Sequence, residues 1–379
     1  MIKIVADENL AYAKDLFSQY GKVKLLNGRK ITYLVLKDTD ALIIRSITQV
    51  NKSLLAGTKV RFVGTATIGT DHLDMEYLKS TGIIFASAPG CNSYSVAEYV
   101  LASLLYTAIK NNFSLKDKSI GIVGIGNVGS KVVRFCEALG MKVLKNDPPL
   151  SRQGKLKDSV AFDDILETDI ISLHVPLSFT GEDKTYHMLN EHNLRFLKHN
   201  SILINTSRGS VIDSVALRHI NKEKNLTVIS DVWENEPDID TELLKRVLIG
   251  TPHIAGYTLE GKVNGSLMIY DALADFLKMD RVPNISLPVV NNNQFLFDSS
   301  VSIEESLNNI VKQIYNIEDD HSRLLEVNSM NDSEIGRYFD TLRKDYPLRR
   351  EFNNYSIKMN KKDAGTEMLL RNLRFSVLS

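Results

Sequence analysis

Cysteine is nearly absent. The 379 residues contain only Cys91 and Cys136, which cannot build a disulfide framework and have no C-x-x-C spacing of a metal site. No sign of charge prevails either: 46 Lys plus Arg balance 46 Asp plus Glu. That balance leaves no electrostatic footprint for nucleic acid or an anionic membrane. Long apolar runs are missing as well. The longest, Val100 to Ile109, is half of the ~20 residues a bilayer crossing needs. The opening MIKIVADENL carries an acidic pair where a secretory signal would be apolar. No repeat or low-complexity tract is evident. With 43% hydrophobic and 24% charged residues, neither a disordered nor a fibrous chain is expected. The chain reads as a soluble protein of a reducing cytoplasm, long enough for two or three domains at ~100–200 residues each.

What is present is alternation. Short β-branched runs near residues 2–5, 41–44, 61–64 and 83–85 are separated by amphipathic helical patterns. A helical stretch at 94–110 follows, and then a second series of strands near 119–123, 142–145, 170–174, 201–205 and 227–230. Buried strands with intervening helices indicate parallel sheets built from βαβ units. A second long helical pattern at 259–279 could return the chain to the first lobe, making that lobe discontinuous. After Pro283 the texture changes: residues 287–300 read as a linker, followed by amphipathic helices, a strand candidate centred on Ile357 and a final basic helix. The fold class expected is α/β, with two Rossmann-like doubly wound parallel-sheet domains and a small α+β C-terminal domain. The boundaries expected are 1–95 with 255–285 for substrate, 96–254 for a dinucleotide, and 286–379 for a dimerisation module.

Between residues 119 and 139 the sequence reads SIGIVGIGNVGSKVVRFCEAL. Gly124, Gly126 and Gly129 form G-x-G-x-x-G after a strand and at the opening of a helix, the context this fingerprint requires. Gly124 permits the tight turn, Gly126 lets the backbone approach a pyrophosphate at the helix N-terminus, and Gly129 allows close helix–strand packing. Asn127 and Val128 lie in the same loop. Asp147, 18 residues past Gly129 at the end of the next strand, is placed to accept both hydroxyls of an adenosine ribose and to repel a 2′-phosphate. NAD rather than NADP is the cofactor expected.

Three further segments put polar groups after strands: SILINTSRGSVID at 201–213 with Arg208, SDVWENEP at 230–237 with Asp231 and Glu236, and TPHIAGY at 251–257 with His253. In an open parallel sheet, ligands bind outside the carboxyl ends of the strands. Oxidation of a secondary alcohol beside a carboxylate needs a base, a hydride acceptor and a cation. An unperturbed imidazole titrates near ~6.5, which suits His253 as the base. Glu236 would hold the other ring nitrogen and stabilise the imidazolium. Arg208 offers a planar fork of donors for the carboxylate.

These segments together resemble the D-isomer-specific 2-hydroxyacid dehydrogenases. VGTATIGTDHLD at 63–74, APGCNS at 88–93, NDPP at 146–149, DVWENEPD at 231–238 and GTPHIAGYTLEGK at 250–262 are similar to one branch of that family. The resemblance implies the base, carboxylate and arginine roles for His253, Glu236 and Arg208. It also implies substrate contacts at Ser46, Thr67 and Tyr257, and cofactor contacts at Val175, Thr206, Ser207, Arg208, Asp231 and Gly256. A homodimer acting on a small phosphorylated 2-hydroxy acid is the expected assembly. A phosphate near −2 needs cations beyond Arg208; the candidates are Arg45, before Ser46, and Arg349 and Arg350 in DYPLRREF. No metal site is expected, since hydride chemistry with nicotinamide needs none. Competing readings are a phosphoglycerate-type dehydrogenase and a non-catalytic NAD-sensing interaction protein, against which the joint presence of Arg208, Glu236 and His253 argues.

Overall fold

The computed structural model describes residues 1–378, which divide into two compact units. The first comprises Met1–Asn92 and Thr258–Val289, so it is discontinuous. Its sheet contains β1 (Ile2–Asp7), β2 (Gly21–Leu26), β3 (Ala41–Ile44), β4 (Phe62–Thr65) and β5 (Ile84–Ser87), all parallel in the order β2-β1-β3-β4-β5. Every residue of β3 and β4 is buried, as expected of parallel strands covered on both faces. The helix Leu259–Leu277 supplies Ile269, Tyr270, Leu273 and Ala274 to the core shared with Phe17 and Phe62. Gly64 makes this packing possible, because a Cβ there would stand 2.3 Å from Ile269 Cγ2. The edge strand β2 was not anticipated. Its residues, GKVKLL, alternate lysine with apolar side chains and leave much of the strand exposed, a common treatment of sheet edges.

The second unit runs from Ser93 to Tyr257 and resumes at Val290. Its sheet holds β6 (Ser119–Val123), β7 (Lys142–Asn146), β8 (Ile170–Leu173), β9 (Ile202–Asn205), β10 (Thr227–Ser230) and β11 (Ile249–Gly250) in the order β11-β10-β9-β8-β6-β7, all parallel. The chain leaves β6 first to one side and then to the other, so the switch point lies between β6 and β8, where such sheets bind ligands. The two-residue β11 was too short to carry a pattern in the sequence.

The helix Ser93–Asn111 is buried almost all round, as a helix apolar on every face must be. Its Tyr99, Leu101 and Leu105 share a core with Leu307, Ile310, Phe352 and Phe375 from the chain's last ninety residues. Those residues form a third sheet, β12 (Gln294–Phe297), β13 (Ser356–Met359) and β14 (Ser376–Leu378), parallel in that order. Two readings of this region need correction. The stretch taken as a linker contains β12, whose Phe297 is buried in the core, and the final helix, Ala364–Asn372, is followed by β14. Both strands are only three or four residues long and lie beside Asn-rich or basic segments that masked them.

A buried ionic cluster fastens this region to the long helix. Arg374 Nη1 lies 2.7 Å from Glu351 Oε2 and 3.2 Å from Glu98 Oε1. The Ser95 hydroxyl donates to Glu351 Oε1 at 2.9 Å. Burial, reinforced by Glu351, pushes the Glu98 carboxyl well above the usual carboxylate range.

Candidate active site

The glycine loop leaves β6 at the switch point. Gly124 has φ +86°, and a Cβ there would meet the His174 carbonyl oxygen at 2.7 Å. A Cβ on Gly129 would lie 1.9 Å from the Gly124 carbonyl oxygen; the helix Gly129–Ala138 begins against its own loop and only glycine fits. Gly126 differs. Nothing lies within 4 Å of its missing Cβ, so the loop presents bare backbone to open space, as close approach of a pyrophosphate requires. Asn127 beside it is exposed, and Val128 is half-buried at the helix N-cap.

Asp147 follows β7 next to this loop. Its Oδ2 accepts the Ile125 N–H at 2.8 Å, and its Oδ1 accepts the Leu150 N–H at 2.9 Å, capping the helix Pro148–Arg152. An ionised carboxylate has about four acceptor sites, so two remain for ribose hydroxyls. The loop and the carboxylate fit a dinucleotide.

At the end of β8 stands a residue that drew no expectation, His174. Its Nδ1 lies 3.2 Å from the Thr206 hydroxyl and its Nε2 2.9 Å from the Ser172 hydroxyl. Burial pushes its pKa down to about 3, so the ring is neutral and serves as a hydrogen-bonding strut behind Thr206. Val175 follows it, half-buried and packed toward the Gly124 turn.

After β9, Asn205 shapes the loop that carries Arg208. Its Oδ1 accepts from the Ser207 N–H and hydroxyl at 3.1 and 2.9 Å, and its Nδ2 donates to the Arg208 carbonyl at 3.0 Å. Gly209 lets this loop touch the next one: a Cβ there would stand 1.9 Å from the Trp233 carbonyl carbon. Arg208 is half-buried and donates from Nη1 to the Ser207 carbonyl at 2.8 Å.

The loop after β10 sets Glu236, whose Oε1 accepts the Trp233 N–H at 2.7 Å, while its Oε2 lies 2.7 Å from His253 Nδ1. Burial alone would raise the Glu236 pKa, but the charge and hydrogen bond of His253 and the charge of Arg343 outweigh it, so the carboxyl sits below its usual range. A carboxylate can only accept, so Nδ1 carries the proton and Nε2 is left as the basic nitrogen.

His253 sits at φ +56°, a left-handed conformation that a side chain tolerates only when its surroundings impose it. Asp231 imposes it. Its carbonyl accepts the His253 N–H at 2.7 Å, and its carboxylate accepts the Ile254 N–H at 2.8 Å, the Ala255 N–H at 2.9 Å and the Thr251 hydroxyl at 2.6 Å. With 1% of its surface exposed, Asp231 is a scaffold for the histidine loop. Trp233 Nε1 donates to the Thr251 carbonyl at 2.9 Å and extends that scaffold. Gly256 and Tyr257 follow, both half-buried, with Tyr257 edge-on to Tyr346 at 5.7 Å between ring centroids.

Ser46, Arg45 and Thr67 belong to the first unit, just past the ends of β3 and β4. The Thr67 hydroxyl donates to the Gly69 carbonyl at 2.8 Å. His72 is buried with Nε2 2.9 Å from the Thr65 hydroxyl.

Arg349 and Arg350, the other phosphate candidates, are both buried. Arg349 is 4% exposed, donates to the Ser95 carbonyl at 2.7 Å and the Ala255 carbonyl at 3.2 Å, and lies 3.9 Å over the Tyr315 ring. Arg350 is buried and donates to Asn354 Oδ1 at 2.8 Å. In the sequence both read as a solvated basic pair or a ligand site; tertiary packing turned them inward as cross-braces.

Residues 106–255 match the family model of the D-isomer specific 2-hydroxyacid dehydrogenase NAD binding domain, and residues 286–372 match a domain of unknown function. The whole chain is 42% identical to an erythronate-4-phosphate dehydrogenase of Escherichia coli O127:H6, covering 99% of that protein. It is 44% identical to one of Proteus mirabilis over 94% of each chain. Among solved structures, NAD-bound 3-phosphoglycerate dehydrogenase of Entamoeba histolytica superposes with a TM-score of 0.64 at 26% identity, over 73% of this chain and 95% of that one. D-lactate dehydrogenase of Aquifex aeolicus, complexed with NAD and lactic acid, gives 0.60 at 25% identity, over 73% and 96%.

Proposed function

We propose that this chain, which belongs to the erythronate-4-phosphate dehydrogenases of the D-isomer-specific 2-hydroxyacid dehydrogenase family, oxidises 4-phospho-D-erythronate at C2. The product is (R)-3-hydroxy-2-oxo-4-phosphooxybutanoate, and the reaction is a step of pyridoxal 5′-phosphate (vitamin B6) synthesis. The observation that carries the reading is the 2.7 Å contact between His253 Nδ1 and Glu236 Oε2, a base already oriented by a carboxylate.

In this reading His253 Nε2 takes the proton of the C2 hydroxyl. Glu236 stabilises the imidazolium that forms, and the fork of Arg208 holds the C1 carboxylate so that C2 is fixed in register with the base. When bound, NAD supplies the acceptor for the hydride that leaves C2. The glycine loop from Gly124 to Gly129 receives its pyrophosphate and Asp147 its ribose. Val175, Thr206, Ser207, Arg208, Asp231 and Gly256 line the way to the nicotinamide, Thr206 with its hydroxyl braced by neutral His174. Ser46, Thr67 and Tyr257 contact the substrate.

The segments 1–95 with 255–285 form the substrate domain in this reading, 96–254 the NAD domain, and 286–379 a dimerisation module. Apolar side chains left at the surface of that module, Leu296, Leu348 and Met368, support a homodimer, since interfaces cover such groups. Two free, buried cysteines suit the cytoplasm. The test is absorbance of reduced nicotinamide with NAD and a panel of phosphorylated hydroxy acids. Turnover is expected with 4-phospho-D-erythronate; faster turnover of 3-phosphoglycerate would overturn the substrate.

A further inference from the structure

Arg349 and Arg350 are turned inward, and besides Arg45 in the first unit, the second unit contains a further cation that could receive the substrate's phosphate. Arg343 lies in the last turn of the helix Asp332–Lys344, two residues before DYPLRREF and far in sequence from the glycine loop and the His253 segment. Its guanidinium carbon stands 5.8 Å from the centroid of the Tyr257 ring and 5.9 Å from that of Phe339, and it hydrogen-bonds Tyr257. Tyr257 is four residues past His253. The field of Arg343 also reaches Glu236, on which it acts directly. The helix therefore delivers a cation to the neighbourhood of the base.

Its donors are not all satisfied. Arg343 Nε is buried and has no hydrogen-bond partner. A guanidinium stays charged at every physiological pH, and a buried donor on a charged group calls for an acceptor. The carboxylates around it do not meet that need. Glu236 gives Oε1 to the Trp233 N–H and Oε2 to His253. Asp340 contributes its charge from one turn back on the same helix, yet Nε stays unpaired. A ligand would supply an acceptor of the right sign.

The proposed substrate, on whose assignment this inference rests, supplies one. Its carboxylate, C1, goes to Arg208, and its C2 hydroxyl goes to His253. The phosphate, on C4, is at the end of the substrate opposite that carboxylate, two carbons past C2. A planar fork with several donors matches phosphate oxygens in pairs. We infer that Arg343, backed by Tyr257, is a specificity-determining residue that receives the 4-phosphate of the substrate. The C-terminal region would then complete the site as well as extend the fold.

The experiment compares the full-length protein with Arg343→Met and Arg343→Lys. Melting temperature verifies folding. The readouts are kcat/KM for 4-phospho-D-erythronate and for unphosphorylated D-erythronate, and the inhibition constant of inorganic phosphate. Arg343→Met should lower kcat/KM for the phosphorylated substrate by about 10–150-fold, the worth of a charge-assisted contact, mainly through KM. Activity on D-erythronate should fall by a much smaller factor, that of the altered field at Glu236 alone, and inhibition by inorganic phosphate should weaken by about the factor by which the phosphorylated substrate loses more. Arg343→Lys should recover part of the loss, since it keeps the charge without the fork. Equal losses on the two substrates, or no loss on either, would overturn the inference. If Arg343→Met does not fold, Arg343→Lys decides by the same two ratios. If wild-type protein fails to oxidise 4-phospho-D-erythronate, the substrate assignment has failed instead. The rise in melting temperature with inorganic phosphate, present in wild type and lost in the variants, then still decides for Arg343; an unchanged rise decides against it.

Discussion

Asp231 and His253 are joined through the backbone: the His253 N–H donates to the Asp231 carbonyl at 2.7 Å, while the Asp231 carboxylate takes the next two N–H groups in turn. This is what holds the catalytic candidate in its left-handed conformation. Asp231→Ala should therefore cost about 2–4 kcal/mol, as expected for several buried bonds to a charged acceptor, and lower kcat even with NAD saturating. Denaturant midpoints together with kcat check both. A variant with normal stability and a raised KM for NAD would make Asp231 a cofactor contact alone.

The dyad itself predicts a division between chemistry and binding. His253→Ala should lower kcat by ~10²–10⁴, the usual worth of a general base, with NAD binding nearly unchanged. Glu236→Gln keeps an acceptor for the Trp233 N–H but removes the charge that favours imidazolium, so kcat should fall in the same direction. Steady-state rates and a direct measurement of NAD binding separate the two effects. Normal turnover by Glu236→Gln would remove that residue from the chemistry.

Two glycines of one loop should fail in different ways. Gly126→Ala adds a methyl to open space, so stability should be unchanged while NAD binding weakens by tenfold or more, about 1.4 kcal/mol. Gly129→Ala drives its methyl into the Gly124 carbonyl, so it should lower the melting temperature whether or not NAD is present. Thermal melts of the two variants with and without NAD distinguish them.

Asp147 caps a helix and, in the proposed function, also addresses the ribose. Asp147→Ala should cost about 1 kcal/mol for the lost cap. It should also shift the ratio of kcat/KM for NAD over NADP toward NADP, by removing ribose bonds and a repulsive charge together. A ratio that does not move would place the ribose elsewhere.

His174 gives the acid limb of stability a specific cause. Burial lowers its pKa to about 3, against ~6.5 in the unfolded chain. Between those values the unfolded state binds a proton that the folded state refuses, so this contribution is complete above pH 6.5 and is lost as pH falls. The loss is up to about 1.4 kcal/mol per pH unit, trimmed by the partly exposed edge of the ring. His174→Asn, which can still bond Thr206 and Ser172, should flatten the stability curve between about pH 6 and 3.5. Urea midpoints across that range for both proteins provide the measurement; parallel curves would rule His174 out as the source.

What the sequence determined by itself was everything with a local period or a local motif. The buried strands β3, β4, β6, β8 and β9 are runs dominated by apolar residues, and the glycine spacing after β6 needs nothing beyond its own turn to be legible. The segments holding Arg208, Glu236 and His253 could be found because each follows a strand, and strand ends are where an open parallel sheet gathers its ligands. Edge strands such as β2 and very short ones such as β11, β12 and β14 gave no such signal, because β2 mixes lysine with apolar residues at an exposed edge and the others have only two to four residues.

Only the tertiary structure decided which charges face inward, and to what. A basic pair such as Arg349 and Arg350 reads the same on a solvated face as in a core. The difference lies in the carbonyls of Ser95 and Ala255 and the ring of Tyr315, brought together from three remote segments. His174 was silent for the same reason, since burial alone makes it a neutral strut. Arg343 was one residue in a helical pattern until folding set it beside Tyr257. Burial and charge pairing are properties of the assembled core, and no window of sequence contains them.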